Sequence, residues 1–290
     1  MTTKKIENEF HALIDTYAIK GFNLHLEHYT AQEIDSRVSE GMSKYKISLD
    51  KEYGESLKTL KQHKAAAEEL LNVCNVSCKE DLLLDRVDVA IDTNSLTFRN
   101  KDNLRLLRFI FRLLTAKDKD NKMITADEET GRITSFYKTG SDFKLSIYDK
   151  SLESNLRHPY LTRIEFRYTR YNKAYNDFDN AIDRTINRID KMDKHLESIE
   201  NITINRLKQI MREEKIEDTY KNFTDFIDRH YSLIFTDRIL KDIYEYSELK
   251  GNYKTWLRNY RRKKSFKLYK KADILRIKKA LLKALKDYNI

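Results

Sequence analysis

Apolar and polar residues alternate most clearly in three short stretches of the chain. Val87, Val89 and Ile91 interleave with Asp88, Ala90 and Asp92. Phe143, Leu145 and Ile147 interleave with Lys144, Ser146 and Tyr148. Ile164 and Phe166 interleave with Arg163, Glu165 and Arg167. A period of two is the signature of a strand with one face turned to a core. Further strands are predicted at Phe22–His28, Lys44–Leu49, 122–127 and 132–138, with Gly131 and Gly140 marking turns between hairpin strands. Helical spacing predicts helices over 4–20, 31–41, Glu55–Leu71 and Asn100–Ala116, and residues 149–157 are polar and helix-like. From about residue 176 the pattern is helical throughout: Ile182, Ile186, Ile189, Leu196 and Ile199 recur at helical intervals. Further helices are predicted over Thr203–Glu214, Phe223–Tyr231, Arg238–Tyr246 and Ala272–Tyr288. The expected fold class is α+β: residues 1–175 built on a mainly antiparallel sheet with packed helices, and residues 176–290 all-helical and basic.

Composition sharpens this picture. One proline, Pro159, and six glycines in 290 residues argue against a turn-rich sandwich and against a Pro- or Gly-rich linker. Charged residues make up 35% of the chain, above the usual quarter, and the formal net charge is +10. A basic balance favours an anionic partner. The only two cysteines, Cys74 and Cys78, have no second Cys/His pair at zinc spacing and read as thiols in a reducing compartment. The first residues carry no apolar core of signal-peptide length. The most apolar stretch, Leu104–Leu114, is broken by Arg105, Arg108 and Arg112 and cannot span a bilayer, so a cytoplasmic protein is expected.

The basic charge is concentrated. Residues 249–272 carry ten Lys or Arg and no Asp or Glu, interleaved with Tyr253, Trp256, Tyr260, Phe266 and Tyr269. Cations release counterions from phosphates and aromatics stack on bases, so the candidate DNA-binding residues are Lys254, Arg258, Arg261, Arg262, Lys263, Lys264, Lys267, Lys270 and Lys271. The alternative for Trp256 and Tyr260 is that they are simply core. Spacing around Gly251 allows a helix-turn-helix over 237–264 with its second helix in a major groove.

If the three alternating strands share a sheet, its polar face gathers Asp88, Asp92, Glu165, Tyr148 and several cations. Hard carboxylate oxygens suit Mg2+ or Mn2+, and a tyrosine beside such a metal can attack a phosphodiester. A phenol needs a nearby cation to favour its anion; Lys144, Lys150 and Arg163 are candidates. Any sheet with one polar face alternates in this way, so the weight lies in the ordered set of three. His25 and His28, the one close histidine pair, fall on opposite faces of a strand, and His25 with Glu27 is explained by a surface strand.

The order RVDVAID, then FYKTGSDFKLSIYDKSLE, then TRIEFRY resembles the replication initiation factor family, which includes staphylococcal-type rolling-circle plasmid initiators and filamentous-phage replication proteins. The resemblance covers roughly residues 85–170. It implies an initiator that binds an origin and nicks one strand. Tyr148 would form a 5′-phosphotyrosyl link and free a 3′-OH primer, Asp88, Asp92 and Glu165 would be metal ligands for Mg2+ or Mn2+, and Lys150 and Arg163 would assist. It also implies a host helicase and polymerase as partners, a homodimer, and no membrane. The chain departs from the family pattern at Tyr137–Asp142, which lacks the family's Arg-rich turn, and shows no N-terminal helix-turn-helix. The competing reading is an initiator or repressor that binds DNA without cutting it.

Overall fold

The computed structural model describes residues 10–22, 32–37, 42–49, 53, 57, 59–72, 82–115, 122–126, 131–153, 161–174, 177–215, 220–263 and 267–286. The chain divides into two compact units. The first comprises residues 1–98, 117–190 and 279–290, and the second 99–116 and 191–278. The expected border at residue 175 therefore precedes a helix, Phe178–Asp190, that belongs to the first unit. The fold class is α+β, as the patterning indicates.

The first unit is built on an eight-stranded sheet in the order β2-β3-β1-β4-β8-β7-β6-β5. Its strands are β1 (Phe10–Phe22), β2 (Gln32–Arg37), β3 (Met42–Ser48), β4 (Leu83–Thr93), β5 (Lys122–Ala126), β6 (Ile133–Lys138), β7 (Phe143–Asp149) and β8 (Thr162–Ala174), all paired antiparallel. The helices α1 (Leu60–Asn72), α3 (Lys150–Glu153) and α4 (Phe178–Asp190) accompany it. One sheet face is apolar: Val87, Ile91, Ile147, Ile164 and Phe166 are wholly buried. Helices α1 and α4 pack on this face. Tyr17 donates to the Ala67 carbonyl at 3.5 Å and meets Phe178 edge to face, while Tyr168 and Thr185 share a 2.9 Å hydrogen bond.

Two expected helices are strands. Residues 10–22 form β1, which lies between β3 and β4 near the middle of the sheet. Phe10, Leu13, Ile14, Tyr17 and Ala18 have helical spacing, but Ala12 and Ile19 are buried too, because both faces of the strand are covered. Burial on both faces erases the period of two that identifies a strand. Residues 32–37 form β2, an edge strand. Its polar sequence suits an edge, which nature keeps short and charged, and leaves no apolar signal. The predicted strand Phe22–His28, with His25, Glu27 and His28, lies almost wholly outside the described residues, as do Cys74, Cys78 and Pro159.

The second unit is helical: α2 (Lys101–Leu114), α5 (Met192–Glu213), α6 (Tyr220–His230), α7 (Asp237–Tyr246), α8 (Tyr253–Lys263) and the first part of α9 (Lys271–Lys286). Asn100 caps α2 by accepting from the amides of Asp102 and Asn103, and Asn252 caps α8 by accepting from Lys254 and Thr255. Trp256 is the centre of an aromatic cluster, 5.0 Å from Phe223, 5.2 Å from Tyr260 and 5.4 Å from Tyr244 between ring centroids. Arg105 is buried and donates to the carbonyls of Lys267 at 2.9 Å and Ile234 at 2.6 Å, tying the segments before α7 and before α9 to α2. No helix among the described residues is long and apolar enough to cross a membrane.

Candidate active site

The register of β4, β8 and β7 places the polar residues of three strands side by side. Asp88 lies opposite Arg167, Asp92 opposite Arg163, Arg163 opposite Tyr148 and Glu165 opposite Ser146. This face is as dry as the apolar one at its centre: Asp88 and Arg163 are 0% exposed and Asp92 is 1% exposed. Charges buried to that degree persist only when paired and hydrogen-bonded, and here they form two chains.

In the first chain, Arg163 donates Nε to Asp92 Oδ1 at 2.6 Å and Nη2 to Asp92 Oδ2 at 2.7 Å. Its remaining arm, Nη1, pairs with Asp15. In the second, Asp88 accepts from Arg86 Nε at 2.9 Å and from Arg167 Nε at 3.1 Å. Arg167 Nη2 donates to Glu165 Oε1 at 2.8 Å, and Tyr148 donates its hydroxyl to Glu165 Oε2 at 3.1 Å.

Carboxylate oxygens of Asp15, Asp88 and Glu165 lie within 4.8 Å of one another. Asp88 and Glu165 are two of the three ligands expected from the sequence. Asp92, the third, is engaged bidentately by Arg163, and Asp15 stands in the group instead. Asp15 reaches it through a bulge: the pairing of β1 with β4 steps from Ile14 opposite Val89 to Thr16 opposite Asp88, leaving Asp15 as the extra residue. An extra residue of this kind re-aims its own side chain. The signal was hidden because residues 10–22 have helical spacing.

Burial, then the neighbouring Asp88 charge, pushes the Glu165 carboxyl up to about 7. The Arg167 guanidinium opposes this without cancelling it. Burial is also the main reason that the Tyr148 phenol is raised above its ordinary value, with the Glu165 charge second and Arg163 opposing. Burial works against the Arg167 cation too, yet Asp88 and Glu165 outweigh it and raise its pKa. Together these shifts describe a pocket short of positive charge at its centre. A set of three hard carboxylate oxygens in such a pocket fits Mg2+ or Mn2+.

Tyr148, Glu165 and Arg167 also line an open groove of about 610 Å3, with Ser135, Tyr137 and Ser146 on the neighbouring strands. The half-buried Tyr148 side chain therefore borders the groove while its hydroxyl is turned to Glu165. Lys150 Nζ lies 5.9 Å from the Tyr148 ring centroid and bonds Glu153 at 2.7 Å. Asp149 faces away from the carboxylate group, accepting from Arg132 at 2.9 Å and from Ser151 at 2.5 Å. Lys144, opposite Arg167 on β7, is half-buried. Arg167, whose side chain is 30% exposed, is the cation that both holds the carboxylates and reaches the groove; the sequence shows it on this face, but nothing in the pattern singles it out.

In the second unit, Lys254, Arg258, Arg261 and Arg262 are exposed on one side of α8 and line a shallow groove of about 460 Å3 with Leu257. Lys267, Lys270 and Lys271 are also exposed. The Lys263 side chain and Lys264 lie outside the described residues. The tail's described aromatics turn inward and offer no open stacking surface, although Lys267 Nζ lies 5.6 Å from the Tyr269 ring centroid. Trp256, Tyr260 and Tyr269 are core, and Tyr253 is half-buried, donating to Asp237 at 2.9 Å. The reason is helical geometry: positions 253, 256 and 260 fall on the inward side of the helix, 254, 258, 261 and 262 on the outward side, and Leu257 on the border between them. Two helices, α7 and α8, do flank Gly251, which adopts φ 156°.

No family model matches the chain, and no curated protein matches it. Among solved structures it is similar to a rolling circle replication initiator protein from Geobacillus stearothermophilus, at a TM-score of 0.33 and 11% identity over 58% of this chain and 76% of that chain.

Proposed function

We propose that this chain is a replication initiator that binds an origin through its second unit and cuts one DNA strand with Tyr148 in its first. The observation that carries the reading is the 3.1 Å hydrogen bond from the Tyr148 hydroxyl to Glu165 within a groove open to a DNA backbone. Glu165 is placed to take the phenol proton. The Tyr148 oxygen then bonds to phosphorus as the bond from phosphorus to the 3′-oxygen breaks. The products are a 5′-phosphotyrosyl link and a 3′-OH, the latter completed by a proton from water. The link conserves the energy of the cut, in keeping with the absence of a P-loop from the sequence. Arg167 lines the groove and is the cation positioned to meet a phosphate oxygen. Asp15, Asp88 and Glu165 would hold Mg2+ or Mn2+, which would neutralise the phosphodiester when bound.

Arg163 and Asp92 are proposed as positioning residues, since Arg163 is 0% exposed and fixes Asp15 from behind. Lys150, over the Tyr148 ring, favours the phenolate that forms. Duplex binding is assigned to Lys254, Arg258, Arg261 and Arg262, whose spacing along one side of α8 suits a row of phosphates, with Lys267, Lys270 and Lys271 adding charge.

One observation favours a protein that binds without cutting: burial holds the Tyr148 phenol neutral in the arrangement described. A nicking assay on supercoiled plasmid carrying the chain's own origin, with Mg2+ or Mn2+, separates the two. Wild type is expected to give open circles and a covalent protein–DNA adduct, and Tyr148→Phe neither. Equal nicking by the variant overturns the assignment of Tyr148.

A further inference from the structure

The groove beside Tyr148 holds a second tyrosine that the cutting chemistry does not use. Tyr137 lies on β6 opposite Ser146 of β7, which in turn lies opposite Glu165 of β8; Tyr148 is two residues along β7, opposite Ser135. Residues in register across strands share a face, so Tyr137 and Tyr148 stand on the same side of the sheet as diagonal neighbours, about 7–8 Å apart. Both line the groove.

Their surroundings differ. The Tyr148 hydroxyl is bound to Glu165. Several other described tyrosines are tied down by their hydroxyls, Tyr168 by Thr185, Tyr171 by the Asp177 carbonyl, Tyr260 by Asp228 and Tyr269 by the Asp102 carbonyl, and Tyr244 is held by its ring contacts. Tyr137 is half-buried and, among the described residues, has neither a hydrogen bond nor a ring contact. Its ring is thus held by the strand but leaves a surface uncommitted. The residues next to it in the groove lining are small, Ser135 on its own strand and Ser146 opposite it, and leave room for a flat group, while the charged lining residues Asp149, Glu153, Glu165 and Arg167 come from other positions.

We infer that Tyr137 is a stacking platform for an unpaired nucleobase, the one belonging to a nucleotide that flanks the phosphate presented to Tyr148. The inference rests on the proposed role of Tyr148 for its geometry. Because the two tyrosines are diagonal neighbours lining one groove, a strand that presents its phosphate to Tyr148 lays an adjoining nucleotide beside Tyr137. A ring face stacks on any base, but only on a base already out of its duplex. The first unit therefore takes single-stranded DNA at this groove, and the strand must be opened before the cut.

The test uses the full chain and a short oligothymidylate carrying one 5-iodouracil, which photocrosslinks to an aromatic ring stacked on it; the crosslinked residue is then mapped by mass spectrometry. The wild-type crosslink is expected at Tyr137. Tyr137→Phe is expected to crosslink at residue 137 as wild type does. Tyr137→Leu, which keeps an apolar side chain and removes the ring, is expected to lose that crosslink and to bind the oligonucleotide about 5-fold or more weakly, the lower end for one lost base stack. A wild-type crosslink that maps elsewhere, or equal affinity in the Leu variant, overturns the inference. Circular dichroism of the Leu variant separates lost stacking from lost folding. Cutting is not needed for this readout. A crosslink at Tyr137 alongside full nicking by Tyr148→Phe would retain the platform and remove only the nucleophile.

Discussion

Replacing Arg163 by Met tests the buried charge chains directly. The guanidinium is 0% exposed, holds both oxygens of Asp92 at 2.6 and 2.7 Å, and pairs with Asp15. In the variant, Asp92 remains buried with its principal cation gone. Removing one partner of a buried ion pair costs about 3–5 kcal/mol, most of it the penalty of the charge left behind. Against a total domain stability of about 5–15 kcal/mol, that is a large share. Adding Asp92→Leu removes the stranded carboxylate, and an apolar pair in place of an ionic one is about neutral. The double variant is therefore expected to recover most of the loss, short of the contribution from Asp15. Urea unfolding read through hydrogen exchange of β4 and β8 amides reports on the first unit by itself. A loss below about 1 kcal/mol in Arg163→Met, or a double variant no more stable than the single one, refutes the reasoning. Arg163 would then not be the structural clamp its burial implies.

Other expectations follow from the same geometry. In chelator, Glu165 keeps its proton to about pH 7 in the folded state but releases it near its ordinary 4.5 when unfolded. The folded state thus binds more protons between those values, so this group's contribution falls as pH rises from about 4.5 to 7. The stability difference between wild type and Glu165→Gln across that window should show this slope, and a difference flat with pH would refute it. Asp15→Asn should weaken Mn2+ binding, measured calorimetrically, by about tenfold or more, and an unchanged affinity would remove Asp15 from the ligand set. Arg258→Ala with Arg261→Ala should lower duplex affinity evenly across sequences and reduce the slope of log K against log salt by about 2, as two lost phosphate contacts require; an unchanged slope would place the duplex elsewhere.

The parts of the first unit that were legible in the sequence are those with one covered face and one polar face. Strands β4, β7 and β8 alternate cleanly, and from them Asp88, Glu165 and Tyr148 follow as neighbours. Strand β1 was not legible, because a strand covered on both sides carries apolar residues at helical and strand intervals alike. Asp15 was lost with it. The division of labour between Asp92 and Asp15 was equally hidden. Alternation says that Asp92 and Arg163 share a face, but only the register, which sets them opposite each other, turns that into a bidentate pair. In the second unit, charge counting found the basic side of α8, whereas the aromatics between those charges turned inward because each helical step of about 100° carries them off the charged side.

The bulge at Asp15 has an evolutionary consequence. Deleting that one residue would let β1 pair with β4 without a step, from Ile14 opposite Val89 straight to Thr16 opposite Asp88. The barrier to losing the third carboxylate is thus a single codon, with the hydrogen-bond ladder left whole. Such a deletion is the change that would part the scaffold from the cutting chemistry proposed for it.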